Sequence, residues 1–141
     1  MIKKLENKNI DEIMKLWLKA TIKAHPFINE NYWKDSYVVV KDIYIPIADT
    51  FIYEENNKIK GFIAVIENSY IGALFVDPEY QGKGIGKKLI EYAENIYDSL
   101  RLAVYKENHD SVNFYKKVGF KITGEGVNEE TKALEYYMSN N

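Results

Sequence analysis

Three glycines at alternate positions, Gly82, Gly84 and Gly86, stand between an apolar run and a helix-periodic run. That junction limits what the chain can fold into. The run Ile71 to Val76 is unbroken and apolar, as a buried strand requires. Asp77-Pro78 ends it, because proline lacks a ladder N–H and restricts the residue before it. Ile85, Leu89, Ala93 and Ile96 then recur at helical spacing, with Lys87, Lys88, Glu91 and Glu94 between them. A glycine loop that opens a helix leaves N–H groups unpaired at the positive end of the helix dipole, and such a place binds phosphate. Two common phosphate loops are excluded by spacing. A Walker loop has four residues between Gly and Gly-Lys, followed by Ser or Thr. Here only three separate Gly82 from Gly86-Lys87, and Lys88 holds the hydroxyl position. The dinucleotide fingerprint is Gly-x-Gly-x-x-Gly near the start of a βαβ unit, whereas the third glycine here comes one residue early and in mid-chain.

The 141 residues, 46% hydrophobic, suit one domain over residues 1–141 with a real core. A net charge of −2, from 19 basic and 21 acidic residues, lacks the basic excess of a nucleic-acid binder. Without cysteine there is neither a disulfide framework nor a thiol nucleophile. No long apolar run suggests a leader or a membrane span, so a cytoplasmic protein is expected. Twelve tyrosines and two tryptophans supply rings for a core or for pocket walls.

Along the chain, Ile2 to Leu5 reads as a first strand. Asn9 and Glu12 form a capping box for a helix whose face is Ile10, Ile13, Met14, Trp17 and Thr21 and which runs to about Lys23. His25-Pro26-Phe27-Ile28 is a turn with apolar anchors. A second helix is expected over Glu30 to Asp42, with Trp33, Tyr37, Val40 and Tyr44 on one side, stopped by Pro46. Thr50–Glu54 and Ile59–Glu67 pair as a hairpin, in which Gly61 marks a bulge or a close approach. Tyr70–Val76 and Arg101–Tyr105 follow as strands. Asn108 caps a helix striped by Val112, Tyr115 and Val118, with Gly119 beyond its end. Phe120–Thr123 and Ala133–Met138 close the chain as strands, with Gly124 to Asn128 as a loop between them.

Gln81-Gly82-Lys83-Gly84-Ile85-Gly86, after a strand ending in Val-x-Pro, resembles the acyl-CoA loop of the GNAT superfamily of N-acetyltransferases. Asn108-His109-Asp110-Ser111-Val112-Asn113-Phe114-Tyr115, followed by Val118-Gly119-Phe120, resembles the family's second signature, with Ser111 in an alanine place. The element order βααβββαβαββ is the family's order over essentially the whole chain. The stretches Leu16-Trp17-Leu18 and His25-Pro26-Phe27-Ile28 are similar to small bacterial members, some of which acetylate protein lysines. The resemblance implies an α/β (α+β) fold: a mixed, mostly antiparallel central sheet flanked by helices.

It also implies acetyl-CoA as cosubstrate, no metal, and a cleft between the fourth and fifth strands. The backbone of Leu74, Phe75 and Val76 would pair with the pantetheine arm. Gln81, Gly82, Lys83, Gly84, Ile85, Gly86 and Lys87 would hold the pyrophosphate, with Lys88 adding attraction. Asn108 would touch the arm, and the Val76 N–H would face the thioester oxygen. Tyr115 would be the acid for the departing thiolate. The acceptor is an amine, on a small molecule or on a protein lysine or N-terminus, and the chain is a monomer or homodimer without nucleic-acid or membrane partners. A lysine amine costs about 4.6 kcal/mol to deprotonate at pH 7, so a base is expected. Many members carry a glutamate on the fifth strand, where this chain has Ala103. The remaining candidates are Tyr70, which by alternation shares a side with Gly72 and Leu74, and His25, Glu67 and Glu79. The missing glutamate keeps open a second reading, a non-catalytic acyl-CoA-binding or sensor module.

Overall fold

The computed structural model describes residues 1–141. Seven strands, β1 (Ile2–Lys4), β2 (Asp49–Glu55), β3 (Lys58–Ile66), β4 (Tyr70–Val76), β5 (Arg101–Tyr105), β6 (Lys121–Val127) and β7 (Leu134–Ser139), form one sheet in the order β1-β2-β3-β4-β5-β7-β6. Every neighbouring pair is antiparallel except β4 with β5. Five helices accompany it: α1 (Ile10–Ala24), α2 (Glu30–Val39), α3 (Ile45–Ile47), α4 (Ile85–Glu94) and α5 (His109–Lys117). The expected mixed, mostly antiparallel sheet flanked by helices is what forms.

The sheet buries both faces. On one, Ile13, Met14 and Trp17 of α1 pack against Ile52 and Phe62, with Phe75 at the edge. On the other, Leu89 and Ile90 of α4 and Val112 and Tyr115 of α5 pack against Ile63, Val65, Ile71, Leu102 and Val104. Each fully buried aliphatic side chain contributes roughly 1.5–3 kcal/mol, so these two layers hold the helices on the sheet on both sides of its opening.

That opening lies between β4 and β5. Their ladder consists of one pair, Tyr70 with Arg101, extended by the Arg101 N–H donating to Ser69 O at 2.8 Å. Beyond it the strands diverge. The apolar run of β4 is therefore not a strand buried on all sides: only Ile71 is buried, while Ala73 to Val76 are half-buried because they line the gap.

Four local expectations give way. The Asn9 side chain does not cap α1; it accepts the Glu6 N–H at 3.2 Å, and Glu12 instead accepts the Ile59 N–H at 2.9 Å, tying α1 to the start of β3. The second helix does not stop before Pro46. It passes through a π-turn at Val40–Tyr44 into α3, with the proline inside the last turn. The wider turn re-spaces the carbonyls that the proline ring would otherwise meet. Gly124 to Val127 belong to β6, not to a loop. A Cβ on Gly126 would run into Tyr137, 3.2 Å from its Cζ, so that glycine makes room for the ring across the strand pair, whereas one on Gly124 would make ordinary contact with it at 3.5 Å.

The fourth concerns Tyr70. The register passes from Ala64↔Ala73 to Val65↔Ile71, leaving Gly72 as the extra residue of a bulge. The bulge inverts the alternation, so Tyr70, paired with Ile66, shares the α1 face with Ala73, and Leu74 takes the opposite one. Gly61 fits both of its expectations. The β2–β3 register shifts beside it, and a Cβ there would meet Phe75 O at 3.0 Å and Ile85 Cγ2 at 3.1 Å.

Candidate functional site

The gap between β4 and β5 opens into a cavity of about 400 Å³ whose walls are mostly apolar. Its geometry follows from strand alternation. The Asp77 N–H donates to Lys60 O across the ladder with β3, so the N–H groups of Phe75 and Ala73 also turn to β3. Those of Leu74 and Val76 turn to the open flank. Phase alone gives Phe75 a different part: its backbone is tied to β3, and its side chain joins the cavity wall.

Two phenols enter the gap from opposite faces, and both line the cavity. Tyr70 comes from the α1 face; its ring covers the Arg101 guanidinium at 4.9 Å, and its oxygen lies by the Ala103 N–H that the divergent strands leave unpaired. Burial pushes its hydroxyl above the usual tyrosine value, as does the charge of Glu135, while Arg101 and the Ala103 N–H pull the other way. Tyr115 comes from α5 on the far face. Burial, and secondarily Tyr70, push its hydroxyl well above the ordinary value. Both phenols are thus neutral proton donors at working pH.

At the end of β4 the glycine loop forms a second, contiguous feature. Gly82 and Gly84 have φ of 79° and 82°, the left-handed region, and Gly84 is the N-cap of α4. The first helical bond into the loop is the Lys88 N–H to Gly84 O, and no N–H from Gly82 to Lys87 donates within the chain. The Gln81 amide donates to Val76 O at 3.2 Å, locking the loop to the open flank of β4. Ile85 offers only its backbone, because its side chain is core, and Gly86 serves packing: a Cβ there would lie 3.2 Å from Phe114 Cζ of α5. Lys83, Lys87 and Lys88 are exposed around the loop. Free amides at a helix start beside an open strand flank fit a phosphate-bearing, amide-containing arm.

The α1-side mouth of the cavity is walled by Trp17, Trp33, Tyr44, Ile45 and Phe75. Of the candidate bases, Glu67 is exposed in the β3–β4 turn, and Glu79 is exposed and 3.7 Å from Lys58; neither lines the cavity. His25 lines it but is buried, with both ring nitrogens engaged. The sequence reading missed Glu135, a half-buried carboxylate on β7 opposite Tyr105. It forms no ion pair, its polar contact being the Asn128 amide at 3.4 Å, and its charge raises both Tyr70 and Tyr105. The alternation of Glu135 and Tyr137 against Tyr136 and Met138 was the signal that would have placed it on the Ala103 face.

Residues 33–135 match the model of the acetyltransferase (GNAT) domain. The chain belongs to the GNAT family. Among its GNAT relatives, the peptidyl-lysine N-acetyltransferase YiaC of Escherichia coli K12 is 36% identical over 99% of this chain and 95% of its own. The peptidyl-lysine N-acetyltransferase YjaB of the same organism is 30% identical over 87% of this chain and 83% of its own. The solution structure of apo-form YjaB superposes with a TM-score of 0.86 at 26% identity, covering 99% of this chain and 96% of that one. The PaiA N-acetyltransferase of Thermoplasma acidophilum, solved with coenzyme A, shares the GNAT fold at a TM-score of 0.83 and 21% identity, covering 100% and 98%.

Proposed function

We propose that this GNAT chain transfers the acetyl group of acetyl-CoA to a primary amine, and that the amine is a protein lysine. The observation that carries the reading is the cavity in which Tyr70 and Tyr115 meet across the open flank of β4. The free N–H groups of Leu74 and Val76 suit the amides of an extended arm, and those of Gly82 to Lys87 suit its pyrophosphate. The Val76 N–H is a preorganised donor for an oxygen gaining charge when the amine nitrogen attacks the thioester carbon. As the C–S bond breaks, Tyr115 donates to the sulfur. The amine attacks in its neutral form and its proton passes to solvent water on the α1 side, where the neutral Tyr70 serves as a hydrogen-bonding partner and Glu135 adds a negative field.

A lysine fits the acceptor mouth better than a polyamine. The aromatic and aliphatic wall covers a methylene stem with one charge at its end, whereas the further ammonium groups of a polyamine would be buried there without partners. The names of the YiaC and YjaB relatives support the same class. Ala103 favours the alternative, an acyl-CoA sensor without turnover. Thiol release from acetyl-CoA over a panel of lysine peptides, N-terminal amines and spermidine decides. Lysine peptides are expected to react at least tenfold faster than spermidine. Binding of CoA without thiol release from any amine would establish the sensor instead.

A further inference from the structure

His25 closes the corner where the α1–α2 wall meets the head of α5. It is 7% exposed and boxed by rings: Trp33 at 5.0 Å, Tyr105 at 5.1 Å and Phe27 at 5.8 Å between centroids. Its Nδ1 lies 2.7 Å from Thr21 O, one turn back on α1, and 3.1 Å from the Thr21 hydroxyl, so the carbonyl is the shorter contact. A carbonyl only accepts, so Nδ1 carries the hydrogen and Nε2 is left as an acceptor. The Asn108 Nδ2 stands 3.4 Å from that Nε2, and Asn108 Oδ1 accepts the Ser111 N–H at 3.3 Å as the cap of α5.

These contacts form a chain of forced choices. With Nε2 as acceptor, the Asn108 amide must present its NH₂ to the histidine, which turns its oxygen to the helix. Flipping the amide sets oxygen against the Nε2 lone pair and NH₂ against the Ser111 N–H, losing both bonds. A proton on Nε2 sets donor against donor and removes the instruction. His25, Asn108, Ser111 and Tyr115 all line the same cavity. We infer that His25 is a positioning residue for acetyl transfer: its unprotonated Nε2 fixes the Asn108 amide and, through that cap, the helix that carries Tyr115.

Every group against the ring is uncharged at neutral pH: Thr21 of α1, Phe27 of the following turn, Trp33 of α2, Tyr105 of β5 and Asn108 at the head of α5. Glu130 and Glu135 act on the neighbouring Tyr105, and neither contacts the ring. Burial holds the imidazole below its ordinary value, opposed by its bond to Thr21. A depressed value favours the neutral ring in the folded protein, so the latch is intact at pH 7 and opens as pH falls through the folded His25 value, below about 6.5.

The effect on rate rests on the acetyl-transfer reading, but the state of the ring does not, and the experiment separates the two. Nitrogen NMR of the intact protein should show His25 protonated at Nδ1 and bare at Nε2, titrating below the ordinary histidine value. An Nε2–H tautomer, or titration at or above the ordinary histidine value, overturns the inference whatever the protein catalyses. In kinetics with acetyl-CoA and a lysine peptide, His25→Phe and Asn108→Ala should each lower kcat by about tenfold, the scale of one lost hydrogen bond. The double variant should be no worse than the poorer single one. The ratio of wild-type to His25→Phe rates should fall by one proton's dependence towards acid. Multiplying effects in the double variant, or a pH-independent ratio, would show that His25 only fills space.

Discussion

In the proposed acetyl transfer, Tyr115 is the residue asked to do the most chemistry. A thiolate like that of cysteine has a pKa near ~8.5 and free tyrosine about 10, so full proton transfer is uphill by about 2 kcal/mol before burial is considered. Burial steepens it, since it raises Tyr115 further. In the proposed transfer Tyr115 would therefore act as a hydrogen-bond donor that stabilises sulfur as charge gathers there, the proton following late or coming from water. Tyr115→Phe should lower kcat roughly 10²–10⁴-fold and leave the KM for acetyl-CoA nearly unchanged, as for an interaction made in the transition state. Its hydroxyl has no hydrogen-bond partner in the chain, so urea denaturation should find the variant within about 0.5 kcal/mol of wild type. A variant that unfolds more easily while keeping its kcat would make the tyrosine a packing residue.

At the scale of elements, the glycines of the loop have separate tasks. Gly84 has open space around its missing Cβ and a φ of 82°, so a side chain there costs about 1–2 kcal/mol in backbone strain and blocks approach of a phosphate. Gly86 has ordinary φ but Phe114 at 3.2 Å, so a side chain there wedges α4 from α5. Gly84→Val should abolish CoA binding in calorimetry while the protein stays folded. Gly86→Ala should lower stability by about 1–3 kcal/mol through overpacking, with CoA still bound by the folded fraction. Equal loss of CoA affinity in both would mean that the loop is one undivided cradle. The element order, the loop and both signature motifs were legible because they rest on local spacing. The facing of Tyr70 was not, because one extra residue at Gly72 reverses a two-residue period without altering its apolar character. Nor was the membership of Gly124 and Gly126 in β6, since it is set by pairing with Tyr137 and Glu135 of β7, which no local window contains. For Glu135 the alternation of β7 gave its face but not its neighbour, because β5 and β7 are adjacent in the sheet although a helix and β6 separate them in sequence.

For the whole molecule, the one-pair ladder between β4 and β5 makes the sheet two blocks joined at a seam. β1 to β4 share long antiparallel ladders, as do β5 to β7, but between the blocks the backbone contributes the Tyr70–Arg101 pair and the Ser69 contact. In amide hydrogen exchange the free protein should therefore open as two cooperative units with different free energies, 1–97 and 98–141, meeting near Leu100. A ligand lying along the open flank bonds one block and packs against the other. At a hundred times its Kd it adds about 2.7 kcal/mol to both, and the two exchange groups should merge into one. The cosubstrate then acts as a removable eighth strand, and the protein between turnovers is a less unified solid than the protein at work.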